Sequence, residues 1–427
     1  MTVAYIPRVV DAELDELSAQ LPAIMLDGPK GVGKTTTAEQ RSSTVFRLDN
    51  SETAELVRAD PGMIDASGAG TVVIDEWQRV PETWDYIRRA CDAGAPSGRY
   101  LLTGSAAPEG AHLHSGAGRI VTTRMRPLSF YERHPPEAPV SLAALLNGTC
   151  PDLGGSSDVS LADYMDEILA GGFPGLRRYS GRGLTAQLES YIDAIVEKDF
   201  TELGHVVRRP ATLRGWFRAY AAATATTAAY ATILDAATPG ESDKPAKTTT
   251  IVYRDVLARL RVIEELDAWL PVQNRLHRLT QAPKHHLTDP ALAAHLLSVD
   301  RGAFLTGSGT DSVQRPKGGS LAGALFESLA TQSVRTYAQA ADATVSHLRT
   351  GGGRREVDIV VERRDGTVLA IEVKLGHSPD TDDVRHLLWL RDEIGDGLCD
   401  AIVVTTGRNA YRRSDGIGVI PLALLGP

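Results

Sequence analysis

Cysteine is scarce in this chain, with three among 427 residues. Cys91, Cys150 and Cys399 lie far apart and show no paired, metal-type spacing. They exclude a disulfide framework and point to a reducing compartment. An excess of positive charge is also missing: 54 acidic side chains outnumber 45 Lys and Arg, for a net charge of -9. Any contact with nucleic acid must therefore come from a local basic surface. Long apolar runs are absent too. The stretch YAAATATTAAYATILDAAT has little charge, but it is rich in Ala and Thr rather than Leu or Ile, so it predicts a helix in water and not a membrane span. The opening residues, MTVAYIPRVVDAELDEL, carry acids where an export signal would have an apolar core. The expectation is a cytoplasmic protein with no membrane contact. No internal repeat is visible. What is present, 42% hydrophobic and 23% charged residues, suits a globular chain with material for two or three domains.

Residues 1–136 alternate strand-like and helix-like runs, as a parallel α/β sheet does. AIML, TVVID and YLLTGS are short buried-strand candidates. Residues 137–318 read as helical. Within them TTTIVYRDVLARLRVIEELDAWL places Val252, Val256, Leu260 and Ile263 on one face at helical spacing. Residues 319–427 begin a second α/β unit.

GPKGVGKT, from Gly28 to Thr35, fits G-x-x-x-x-G-K-[ST] and lies between a strand candidate and a helix start. In such a loop Gly28, Gly31 and Gly33 let backbone N–H groups wrap phosphates, Lys34 reaches the β- and γ-phosphates, and Thr35, followed by Thr36, meets Mg²⁺ and nucleotide. ATP and Mg²⁺ are the expected ligands. TVVIDEW supports this: Asp75, at a strand end, would share the Mg²⁺ site with Thr35, and Glu76 would activate the attacking water. RYLLTGSA offers Thr103 or Ser105 near the γ-phosphate. GAGRIVTTRMRP offers Arg119, Arg124 or Arg126 as an arginine finger toward a second copy in a homo-oligomer; Arg119 is the candidate taken forward.

The order GPKGVGKT, VVIDEW, LLTGSA and GR…RPLSFYE resembles the small AAA+ ATPases of bacteria and archaea. GGFPGLRRY, YIDAIVEKDF, KHHLTDPAL, GALFESLA and EVDIVV…IEVK resemble their C-terminal region in the same order. The resemblance implies a P-loop NTPase sheet, a helical, winged-helix-like middle, and a C-terminal α/β fold akin to restriction-endonuclease, PD-(D/E)xK, nucleases. It carries Gly33, Lys34 and Thr35 to the nucleotide site and Asp75 and Glu76 to the strand-end acid pair. PKGV stands where relatives often have an Arg-Gln-type pair, a difference not expected to disturb the phosphate cradle.

Arg208, Arg209, Arg214, Arg218, Arg254, Arg259 and Arg261, with the positive charge of NRLHRLTQAPKHH, suggest DNA contact by the middle region; the alternative is pairing with Glu264, Glu265 and Asp267. In REVDIVVERRDGTVLAIEVK a hairpin turns at Asp365-Gly366. A three-residue loop, Arg364 to Gly366, sets Asp358 opposite Glu372. One face then reads Val357, Ile359, Val361, Leu369, Ile371 and Val373, and the other gathers Glu356, Asp358, Glu372 and Lys374. Asp358 and Glu372, with Glu327 from SLAGALFESLA, would bind a second Mg²⁺ or Mn²⁺, and Lys374 would serve catalysis. The sequence leaves two outcomes open. ATP turnover gates cleavage of DNA, or the protein is an ATP-dependent switch for a protein or DNA partner, with an inactive nuclease-like domain.

Overall fold

A computed structural model describes residues 5–104, 116–134, 138–149, 152–237, 245–269, 282–302, 321–350 and 353–427. Five parallel strands form the first unit: β1 (Ala23–Asp27), β2 (Thr44–Arg47), β3 (Val72–Asp75), β4 (Tyr100–Gly104) and β5 (Ile120–Arg124). Their order is β2-β3-β4-β1-β5. The three central strands are buried at every residue, which is why they read as near-continuous apolar runs. The outer strands β2 and β5 are partly exposed and mix Thr and Arg with apolar residues. β4 separates β1 from β3, pairing Thr103 with Leu26 on one side and with Asp75 on the other.

The middle region is helical, with helices Gly181–Ala194, Pro210–Ala222, Tyr230–Ala237 and Lys247–Arg259. The last of these corrects the sequence reading. Thr250, Tyr253, Val256 and Leu257 form its buried side, while Val252 is 38% exposed. The helix stops at Arg259, Arg261 adopts φ 62°, and Ile263 lies beyond it, bridged to Leu287. A second antiparallel bridge joins Leu266 to Lys284.

The division into a middle and a C-terminal domain is less clean than the sequence suggested. The C-terminal sheet contains β7 (Ala268–Trp269), β8 (Ala343–Arg349), β9 (Glu356–Arg363), β10 (Val368–Lys374), β11 (Leu398–Thr405), β12 (Tyr411–Arg412) and β13 (Gly418–Pro421), in the order β12-β13-β11-β10-β9-β8-β7. Its edge strand β7 therefore comes from the middle region. A last strand, β14 (Leu425–Gly426), pairs with β6 (Val140–Ser141) just past the first unit.

The hairpin turns as its residues demand. Gly366, at φ 86°, donates its N–H to Arg363, and Arg363 bonds Thr367, so the loop is Arg364 to Gly366. The ladder runs from Val368–Glu362 to Ile371–Ile359, a register whose continuation sets Asp358 opposite Glu372. Two details differ from expectation. Neither face is purely charged: Val360, Val368 and Ala370 are buried with Val384, Leu387 and Leu390 of the helix Thr381–Ile394. Val357 joins that cluster rather than the Ile359 face, because the β8–β9 register shifts between Ser346 and Leu348. The Ile359 face packs with Leu325, Leu329 and Val334 of the long helix Leu321–Ala340.

Candidate functional site

The loop from Gly28 to Thr35 leaves β1 and enters the helix Lys34–Glu39. Gly31 and Gly33 take φ 77° and 102°, which residues with a Cβ rarely adopt. Gly28 is needed for a different reason: a Cβ there would lie 2.2 Å from the Met125 carbonyl oxygen. The Lys34 ammonium is buried and donates to the carbonyls of Gly28 and Pro29 at 2.8 and 2.9 Å. Burial pushes its pKa down to about 8. Thr36 is exposed on the first helical turn.

The loop meets the strand-end acids directly. Thr35 Oγ1 donates to Asp75 Oδ1 at 2.7 Å, and the Thr103 hydroxyl donates to the same oxygen. Glu76 follows in a left-handed conformation, φ 55° and ψ 45°, and accepts a hydrogen bond from Gln78. A non-glycine residue held there costs on the order of 1–3 kcal/mol, and such residues cluster at functional sites. Thr103 is thus the hydroxyl in place; Ser105 lies outside the described residues.

The arginines offered as a finger toward a second copy have partners within their own chain. Arg119 precedes β5, at the end of the strand away from the loop, and pairs with Asp92 at 2.8 Å. It cannot reach the phosphate loop of its own chain from that end of the sheet. Arg124, at the other end of β5, pairs with Asp27 at 3.3 Å, and burial pushes its pKa down to about 10. Arg126 holds Glu264 at 2.8 Å. Of the middle-region arginines, Arg214 holds Glu189 and Asp193, Arg254 stacks 4.8 Å from the Tyr230 ring centroid, and Arg261 reaches Asp27 at 2.7 Å. These three are spent on partners within the chain, although not on the acids expected. Glu264 instead takes Arg126, and the NRLHRLTQ part of the basic run lies outside the described residues.

At the hairpin the expected residues do gather, around a side chain the sequence reading had set aside as generic positive charge. Lys284 is 1% exposed. Its ammonium donates to Glu327 Oε1 and Asp358 Oδ1, each at 2.8 Å, and lies 3.3 Å from Glu356. Asp358 Oδ2 also accepts the Val373 N–H at 3.0 Å. Lys374 stands 3.5 Å from Glu372 and 3.9 Å from Asp383. Burial works against the Asp358 charge, yet Lys284 holds its carboxyl well below the usual range. Burial and then Asp358 push Glu372 well above that range and Glu327 up to about 8. Among the described residues no group of three or more His, Cys, Asp or Glu is arranged to hold a metal ion. Of the carboxylates expected to form a divalent site, Glu327 and Asp358 meet the Lys284 ammonium, while Glu372 meets Lys374.

A family model described as an AAA domain matches residues 20–134. Two domains of unknown function, DUF8612 and DUF4143, match residues 161–302 and 322–425. Uncharacterized proteins of Mycobacterium tuberculosis and Mycobacterium bovis are each 28% identical over 301 residues. That match covers 69% of this chain and 60% of each relative, so the chain spans only part of the curated relatives' length. A solved Walker-type ATPase of Pyrococcus abyssi aligns over 68% of this chain and 96% of its own, with 15% identity and a TM-score of 0.39.

Proposed function

We propose that the first unit binds ATP with Mg²⁺ and hydrolyses it, and that the protein acts as a nucleotide-dependent switch on its helical and C-terminal parts. The observation that carries this is the contact of Thr35, Asp75 and Thr103 beside a buried Lys34, with Glu76 next in the chain. The loop carbonyls that now accept from Lys34 would give way to phosphate oxygens, which also restore full charge to a lysine held down by burial. The Thr35 hydroxyl and Asp75 carboxylate are hard oxygen donors already in contact, a set that fits Mg²⁺. When bound, that ion would neutralise charge on the β- and γ-phosphate oxygens. Glu76 would orient a water for in-line attack on the γ-phosphorus and take its proton as ADP departs. Thr103, hydrogen-bonded to Asp75, would transmit the γ-phosphate's presence to the sheet. Asp27, one residue before the loop, ties this site to Arg261 of the middle region. The same segment continues to Leu266, whose backbone exchanges two 2.9 Å hydrogen bonds with that of Lys284.

A DNA-cleaving reading comes second. It is favoured by the convergence of Asp358, Glu372 and Lys374 and disfavoured by Lys284 in their midst. DNA and protein partners both remain compatible with a switch. The test is ATP turnover of the wild type beside Lys34→Ala, together with nicking of labelled DNA in Mg²⁺ or Mn²⁺ beside Asp358→Ala. Turnover is expected to fall by about 10²-fold or more in Lys34→Ala, since the lysine stabilises transferring charge. No Asp358-dependent nicking is expected. Nicking that disappears in Asp358→Ala would reverse the order of the two readings, and turnover that survives in Lys34→Ala would remove the first.

A further inference from the structure

The tip of the phosphate loop is gripped by the helical middle. Lys30, whose side chain the sequence reading gave no role, is paired by Asp199 at 2.6 Å and by Glu202 at 2.8 Å. Its carbonyl accepts the Tyr191 hydroxyl at 3.0 Å. The rings of Phe173 and Tyr191 lie beside the exposed Gly31, where a Cβ would meet them at 3.9 and 4.0 Å. Glu202 also reaches Arg79, at 3.3 Å, three residues past Glu76. One short helical segment thus holds both edges of the nucleotide site, the phosphate loop and the turn after β3.

Its local geometry is unusual. Ile195–Asp199 is a π-helical turn between the α-helices Gly181–Ala194 and Phe200–Glu202. Such turns insert a residue, are rare, and recur at functional sites. Here the turn carries Asp199 into a buried position against Lys30, where burial raises its pKa and the lysine opposes that rise.

We infer that Asp199 and Glu202 form a clasp on Lys30 and Arg79 that competes with nucleotide phosphate, so that ATP binding loosens the helical middle from the loop. This rests on the proposed ATP site and supplies its regulation. Phosphates in the loop bring several negative charges close to the buried Asp199 and the half-exposed Glu202. At buried Asp199 the resulting repulsion is larger than the same charges would feel in bulk water. Lys30 and Arg79 would turn toward the new anion, leaving Glu202 to solvent and Asp199 an unpaired buried carboxylate that is relieved only as its segment loosens. Linkage then runs both ways: what ATP loosens, loosening must favour ATP.

The test is direct titration of full-length protein with ATP, and hydrogen exchange of residues 191–205 with and without ATP. Wild type is compared with Asp199→Asn/Glu202→Gln. The double variant is expected to bind ATP about fivefold tighter or more, the lower end of ordinary coupling between sites. Exchange in 191–205 should speed up with ATP in wild type and be fast in the variant regardless. Unchanged or weaker ATP affinity in the variant overturns the clasp, as does exchange that slows when ATP binds wild type. If the double variant does not fold, Glu202→Gln alone, at a half-exposed position, should tighten binding in the same direction, and no tightening there also overturns it. Absence of any ATP binding by wild type would instead remove the proposed ATP site, an outcome separable from failure of the clasp.

Discussion

Replacing Glu76 by Gln is expected to lower ATP hydrolysis by about 10²–10⁴-fold while ATP binding stays within a few-fold of wild type. The amide keeps the shape and can still accept from Gln78, but it cannot take a proton from water. Binding should survive because, on the proposed reading, the phosphate contacts would come from the loop and Lys34, with Thr35 and Asp75 holding Mg²⁺. The left-handed backbone of Glu76 matters as well, since it turns the residue away from the strand direction that Asp75 follows. Steady-state turnover beside equilibrium titration separates the two effects. Equal losses of binding and turnover would show that Glu76 shapes the loop rather than the reaction, and undiminished turnover would remove it from the site.

Lys284→Met is expected to cost about 3–5 kcal/mol, the range for removing one partner of a buried ion pair. Methionine roughly fills the space of the lysine stem but leaves Glu327, Glu356 and Asp358 facing one another without a cation. Most of the cost should be repulsion and uncompensated burial rather than lost packing. Adding Asp358→Asn to Lys284→Met should therefore recover a substantial part of it, since it removes the charge the lysine had balanced, whereas Glu327→Gln should recover less, because burial and Asp358 already push the Glu327 carboxyl up to about 8. Urea or thermal unfolding of the three proteins measures this. An unaltered stability in Lys284→Met would mean the carboxylates are hydrated or protonated enough not to need the lysine. A loss that neither second substitution relieves would assign the effect to packing.

Local chemistry accounts for what could be read before the structure. The phosphate loop is legible because its glycines, lysine and threonine are adjacent in the chain and the flanking strand and helix follow from nearest neighbours. The hairpin register is legible for the same reason. A glycine at the third loop position and the two-residue alternation of β9 and β10 select one pairing, and the structure adopts it. Where local rules were applied across an irregularity they failed. Val357 changes cluster where three steps of its own strand, β9, oppose two of β8, and Val252 is exposed because the helix turns a different face to the core.

The groups that define each site's behaviour come from far along the chain. Lys284 is 74 residues from Asp358, and Lys30 is 169 residues from Asp199. Nothing in the neighbourhood of a lysine reveals which carboxylate will desolvate it, because ion pairing depends on distance in space and that is fixed by topology. Strand order acts in the same way: β4 inserted between β1 and β3 is what brings Thr103 to Asp75. The sequence by itself determined the presence of a phosphate loop, its partner acids and the hairpin that gathers carboxylates. Only the tertiary structure decided that a buried lysine sits among those carboxylates, and that the helical middle grips the loop. Those outcomes depend on packing distant segments into one low-dielectric interior, where a single unpaired charge costs more than any local preference.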